Sequence, residues 1–429
     1  MVSAYAREPA PDRWAHRAAV RRRAKTEGPL GAYRAVFRNR GFALFWTGIT
    51  VSMIGDAITK VALTWYVYQV TGSAVALGWL AFLFTAPVVV GGFAAGWLLD
   101  RFDRRRVLIV DSLAKAVVIG SVPLLHAFDA LSLAHVYVVA GVYGFLMMIP
   151  LAGTPALLPA LVGEPHLGTA NALETMSYTL SGVVGPPLAG VVIAWIDAPT
   201  ALAFDAASYL AFVALLTRVV PRPDEPVARR ERRVGFHDAI VLLLGNKVLL
   251  TTTAMYMAIN VGEGAMRVWL PLFTDRVQGG GATLYGILLG AIACGEAISS
   301  AVAGMITRPL PLGLLIGVAQ TLGFLALAPL LLAGGHVVTL GSLLVYGFLT
   351  APLTIWAQTL RMRIIPAEQG GRSFALLRTL MQSTNPLGGL AAGFAVPVAG
   401  LTAVIAATVA VGAIPGLLGL RVRALRAAR

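Results

Sequence analysis

The 429-residue chain is 57% hydrophobic and 13% charged, where a soluble domain carries about 25% charged residues, so a water-soluble globular fold is excluded. Its formal net charge of +14 would suit nucleic acid, but the basic residues fall in patches between apolar blocks, which removes that reading. The single cysteine, Cys294, excludes a disulfide framework and any multi-cysteine metal site, and no other metal or cofactor motif is present.

Apolar blocks of the length that spans a bilayer as helix, about 18 residues or more, recur along the chain. In order they predict twelve helices, over 42–68, 74–99, 107–125, 133–158, 171–195, 200–219, 247–275, 283–306, 311–333, 336–361, 372–397 and 401–420. The longest polar interruption, "RVVPRPDEPVARRERRVGFHD", is rich in proline and in both charge signs and reads as a linker. The expected organisation is a basic tail (1–41), a six-helix bundle (42–219), a linker (220–246), a second six-helix bundle (247–420) and a short tail (421–429). No cleavable signal is expected, because the leading tail has no apolar core. Twenty-nine of the 34 Lys and Arg fall in the tails, the linker and the loops on the same side, against Arg276 alone on the other. The positive-inside rule then places both termini in the cytoplasm.

The two halves repeat. "GDAITKVAL" (55–63) aligns with "GEGAMRVWL" (262–270) at a shift of 207, pairing Asp56 with Glu263 and Lys60 with Arg267. "NALETM" (171–176) aligns with "ALLRTL" (375–380) at a shift of 204, setting Glu174 opposite Arg378. Parallel repeats of this kind are a device of secondary transporters, with the site between the halves.

Ionisable residues inside apolar helices are the sharpest functional signal, since each costs roughly 2.5–3.5 kcal/mol to insert at a helix centre. Asp56 and Glu263 lie deep in their helices, each with a base four residues on, and are expected to line or gate the cavity as charged pairs. Lys60, near the outer end, could also snorkel to the interface. Glu296, on a face of Ala, Gly and Ser, has no such base and is the first choice for the proton-carrying acid. Asp205 is expected near the outer start of its helix in a structural role, and Asp111 and Lys115 are expected to neutralise each other. Trp46, Trp65, Tyr66, Tyr143, Met147, Met148, Tyr256, Met257, Tyr346 and Trp356 could form an adaptable pocket or simply pack, and Gln358 is the better polar contact for a substrate.

Two stretches resemble a known family. "GWLLDRFDRRRVL" (96–108) is similar to the signature loop between helices 2 and 3 of the major facilitator superfamily, through Gly96, Leu98, Asp100, Arg101, Arg104 and Arg105. Asp103 stands where that loop has its second glycine. "GVVGPPLAG" (182–190) resembles the superfamily's antiporter motif through Gly182, Gly185, Pro186 and Gly190. The stretches "LPALVGEPHLGTANAL" and "IIPAEQGGRSFALL" resemble bacterial drug and siderophore exporters of that superfamily, and the similarity covers roughly residues 33–420. One departure is the fourth helix, which contains no charge where many proton-coupled members carry an arginine.

The resemblance implies an all-α membrane protein with two pseudo-symmetric six-helix bundles around a central cavity. It further implies a cytoplasmic gate of Gly96, Asp100, Arg101, Arg104 and Arg105, with Asp100 facing the start of the eleventh helix; Glu174 and Arg378 are the sequence's own addition to that gate. The expectation is a monomeric secondary transporter in the bacterial inner membrane that is not an enzyme. It would export amphipathic small molecules against protons by rocking of the halves, with the lipid bilayer as its other partner. A lipid or lysolipid flippase of the same fold is the alternative. A membrane sensor or enzyme subunit fits less well, because the histidines are scattered and no nucleophile motif is present.

Overall fold

The computed structural model describes residues 29–163, 166–219, 236–305, 311–332, 334–366 and 370–428. Its long helices are α1 (Arg40–Thr71), α2 (Ala74–Arg101), α3 (Arg104–Ala127), α4 (Leu133–Val162), α5 (Leu167–Ile196) and α6 (Ala198–Leu216). The second half contributes α7 (Lys247–Arg276), α8 (Gly281–Met305), α9 (Leu312–Leu332), α10 (His336–Ile364), α11 (Gly370–Gln382 with Thr384–Ala399) and α12 (Leu401–Arg421). Short helices at Pro29–Arg38 and Phe236–Gly245 precede α1 and α7. Most of the expected linker and the first 28 residues lie outside the described residues.

Among the described residues ten helices are long and apolar enough to cross a membrane. The two exceptions are informative. Along α7, Lys247, Glu263, Arg267, Asp275 and Arg276 interrupt the apolar sequence, and α11 comes in pieces of 13 and 16 residues. The sequence reading drew every helix as continuous, and proline explains the breaks. A proline inside a helix lacks the N–H and clashes with the carbonyl four residues back. The first pieces of α4, α9 and α11 end at Leu146, Leu325 and Gln382, each the residue four before Pro150, Pro329 or Pro386. In α2 the interruption comes at Ala86, next to Pro87.

Packing repeats between the halves. Helix α1 packs on α5 and α6, and α6 on α3; likewise α7 packs on α11 and α12, and α12 on α9. The halves meet along two seams, α5 against α8 and α2 against α11. Small residues permit these approaches. A Cβ at Gly190 would lie 2.7 Å from the Ala282 carbonyl oxygen, and one at Gly78 would lie 3.1 Å from the Gly389 carbonyl oxygen. "PLGGLAAGF" in α11 thus mirrors the α5 motif, and the 204-residue shift sets Gly389 opposite Gly185. Helix α5 passes through Pro186 and Pro187 without a break.

At the end of the bundle bearing Gly72, three hydrogen bonds cross between the halves. Tyr68 Oη donates to Asp275 Oδ2 at 2.6 Å, Arg276 Nη2 to the Gly72 carbonyl at 2.5 Å, and Thr283 Oγ1 to the Gly190 carbonyl at 3.4 Å. Tyr68 and Asp275 are 207 residues apart, the register that pairs Asp56 with Glu263, so repeat-related positions touch each other here. At the opposite end Glu174 is buried, Arg378 is exposed, and no ion pair joins them.

Candidate functional site

Between the halves lie two joined cavities. The larger, about 510 Å³, is walled by α1, α2, α4, α5, α7, α8 and α10, within the range of small-molecule sites. The smaller, about 300 Å³, is walled by α5, α7, α8 and α10. Tyr178, Gly182, Glu263, Ala293 and Glu296 line both and mark their junction. Lys60 and Arg267 line the larger lobe. Four of the expected substrate or coupling residues therefore share one space: Lys60, Glu263, Arg267 and Glu296. Asp56 and Gln358 are on neither wall; from α10 the smaller lobe takes Thr350, Ala351 and Thr354 instead.

The i, i+4 pairs do not close. Among the described residues no ion pair joins Asp56 to Lys60 or Glu263 to Arg267. Asp56 is held by two tyrosines: Tyr143 of α4 donates to its Oδ1 at 2.8 Å, and Tyr209 of α6 donates to the same oxygen. Lys60 is left facing the larger lobe, its ammonium 6.0 Å from the centroid of the Tyr143 ring.

Next to Asp56 the first half carries a polar core. Asp205 is fully buried and accepts from Thr59 Oγ1 at 2.5 Å and Ser208 Oγ at 3.0 Å. A capping role at the helix start fails for it, because α6 begins at Ala198 and Asp197 caps that end by accepting from the Thr200 N–H. Two turns in, Asp205 is beyond the reach of the helix dipole. Asp111 and Lys115 form the buried pair expected from their spacing, at 2.9 Å, with Asp111 Oδ1 left without a partner. Sequence reading missed the Tyr209–Asp56 link; the available signal was that Asp205 and Tyr209 fall one turn apart on the helix that packs against α1.

The signature loop is anchored within its own half. Asp103 caps α3 by accepting from the Arg106 N–H at 2.9 Å, which accounts for an aspartate where the family loop has glycine. Arg104 donates to the Ala156 carbonyl at 2.9 Å, while Arg105 donates to the Leu216 and Thr217 carbonyls at the end of α6. Arg101 stacks over Trp97 at 5.5 Å. Gly96 has open space where a Cβ would stand, and Asp100 is exposed. Residues 367–369, which lead into the start of α11 where Asp100 is expected, lie outside the described residues. In the antiporter motif, a Cβ at Gly185 would come 2.4 Å from Ala57 Cβ and one at Gly182 would come 3.3 Å from Ala293 Cβ. The motif thus seats α5 on both α1 and α8.

Of the expected pocket aromatics and methionines, Tyr143, Met147 and Tyr346 line the larger lobe and Tyr256 the smaller. Trp65 instead packs among Tyr68 and Tyr285, and Trp46 donates to the Leu173 carbonyl at 2.9 Å. No group of His, Cys, Asp and Glu that could hold a metal ion occurs among the described residues.

A sequence model of the Major Facilitator Superfamily matches residues 45–390. Over 375 residues the chain is 28% identical to the multidrug efflux pump Tap of Mycolicibacterium fortuitum, covering 81% of this chain and 87% of that protein. It is 27% identical over 353 residues to the enterobactin exporter EntS of Salmonella typhi, covering 80% of each. Among solved structures, a variant of the nucleoside transporter NupG superposes with a TM-score of 0.71 at 12% identity, covering 89% of this chain and 99% of that one. That likeness is one of fold.

Proposed function

Because the chain belongs to the Major Facilitator Superfamily, we propose that it exports amphipathic small molecules in exchange for protons, by rocking of its two halves about the central cavity. It is a multi-pass protein of the bacterial inner membrane, in a family of transporters. The observation that carries the reading is the junction of the two lobes, where Glu263 and Glu296 face the cavity without an ion-pair partner among the described residues. A carboxyl group in such a place can bind a proton in one state and release it in the other.

The crossing hydrogen bonds at Gly72, Tyr68 and Thr283 support alternating access, since they hold one end of the bundle shut. With the termini in the cytoplasm, that end faces outward and the cavity serves the cytoplasm. In the opposite state Glu174 and Arg378 come together, and Asp100 reaches α11 while Gly96, Arg101, Arg104 and Arg105 hold the turn that carries it. Export as the direction rests on the α5 motif and on relatives named as an efflux pump and an exporter. A complete cavity within one chain supports a monomer as the working unit.

Inverted membrane vesicles provide the test. An imposed proton gradient is expected to drive accumulation of a fluorescent amphiphile, the cation ethidium or the zwitterion rhodamine B, and Glu296→Gln to lower the initial rate at least tenfold. Undiminished transport in that variant removes Glu296 from the coupling step. Transport by the parent protein without a gradient removes proton exchange altogether.

A further inference from the structure

The larger lobe holds two basic side chains with no acid at ion-pair distance among the described residues. Lys60 and Arg267 occupy matching registers of α1 and α7, both line this lobe, and neither makes an ion pair among the described residues. A guanidinium keeps its charge at any physiological pH, and a charge at this depth needs a partner. Glu263 lies one turn before Arg267, about 6 Å along the helix, and Glu296 faces the same junction. The cavity is therefore bipolar, with basic side chains in one lobe and carboxyl groups where the lobes meet. Tyr346 lies on the same wall, 2% exposed, and among the described residues its buried hydroxyl has no partner.

Resting on the transport reading above, we infer that the substrates are zwitterionic amphiphiles. The anionic group lies between Lys60 and Arg267, the cationic group lies against Glu263 and Glu296, and the apolar body packs on Phe84 and Met147. Exchange with protons selects this class. A purely anionic molecule binds best when the acids are protonated, so it travels with protons rather than against them. A purely cationic molecule leaves Lys60 and Arg267 uncompensated. With a zwitterion, the carboxyl proton leaves for the cytoplasm and the arriving ammonium takes its place as counter-ion. Only the carboxyl O–H bond breaks.

Three probes with one fluorophore and one spacer test the assignment by fluorescence titration of the purified full-length protein. Nε-dansyl-lysine carries both charges, dansylcadaverine lacks the carboxylate, and 6-(dansylamino)hexanoate lacks the ammonium. Dansyl-lysine is expected to bind about tenfold more tightly than either of the others, the scale of one charge-assisted hydrogen bond. Arg267→Gln and Lys60→Gln each remove its advantage over dansylcadaverine, whereas Glu263→Gln removes its advantage over the hexanoate. Equal binding of dansyl-lysine and either singly charged probe overturns the proposal. If none of the three binds while the gradient still drives ethidium accumulation, the zwitterion assignment falls and the transport reading stands. If rhodamine B accumulation is absent as well, the transport reading falls first.

Discussion

Helices α1 and α7 carry the same unit, an acid with a base four residues on, and use it in opposite ways. In α1 the acid is tied into the protein: Asp56 accepts from Tyr143 and Tyr209, beside Asp205 with its two hydroxyl donors and the Asp111–Lys115 pair. In α7 the acid is left to the cavity, and the second half makes buried polar contacts through neutral groups, threonine hydroxyls and amides. Gln320 there donates to the Met255 and Gly412 carbonyls, and Asn260 to the Tyr256 carbonyl. The neighbours explain the difference. At the register that aligns α5 with α11, Asp205 and Tyr209 of α6 correspond to Val409 and Ala413 of α12, both buried and apolar. Among the described residues Glu263 has no hydroxyl donor of that kind and stays on the cavity wall. One half is braced around its acid, and the other leaves its acid on the wall.

Breaking the buried ion pair should have the largest effect. Removing one member of a buried pair leaves an uncompensated charge, a loss of about 3–5 kcal/mol. Lys115→Met is therefore expected to lower the unfolding midpoint of the detergent-solubilised protein sharply, and Asp111→Leu combined with Lys115→Met to restore most of it. Glu263→Gln, facing the cavity, should stay within about 0.5 kcal/mol of the parent. A loss in Glu263→Gln comparable to that of Lys115→Met would erase the contrast between the halves.

Asp205 comes next. Truncation to alanine strips the Thr59 and Ser208 hydroxyls of their acceptor, and hydrogen bonds to charged groups are worth about 1.5–3 kcal/mol. A loss of about 2–3 kcal/mol is expected for Asp205→Ala, and about half that for Asp205→Asn, which keeps an acceptor. The same thermal measurement checks both. Equal midpoints for Asp205→Ala and the parent would mean that the core of the first half is not braced through this residue.

The helical architecture was legible because bilayer spans are written as apolar length, and the repeat was legible because its charges recur at nearly the same shift, 207 and 204 residues. The breaks were legible in principle too, since three follow from a proline four residues on and the fourth adjoins Pro87, but only geometry tells a broken helix from one like α5 that passes through Pro186 and Pro187. The site was half legible. Depth in a helix marks Lys60, Glu263, Arg267 and Glu296, but it says nothing about which way a side chain turns. The separation of 87 residues between Asp56 and Tyr143, and of 153 between Asp56 and Tyr209, hid the contact that decides the role of Asp56. Sequence proximity favoured Lys60 as its partner, and tertiary packing overrode it.

The finest comparison uses two tyrosines. Tyr143 on α4 and Tyr346 on α10 stand 203 residues apart in repeat-related helices, and both are buried on the wall of the larger lobe. The hydroxyl of Tyr143 donates to Asp56, whereas that of Tyr346 has no partner among the described residues. Replacing each with phenylalanine removes the same atom from opposite circumstances. Tyr143→Phe deletes a donor to a carboxylate and should cost about 1.5 kcal/mol. Tyr346→Phe deletes a buried hydroxyl without a partner and should be neutral or stabilising by up to about 1 kcal/mol in the ligand-free protein. The signs separate two views of the second half. If Tyr346→Phe destabilises as much as Tyr143→Phe, the Tyr346 hydroxyl is already satisfied by the protein. If it stabilises the free protein and weakens dansyl-lysine binding, that hydroxyl is held ready for the substrate.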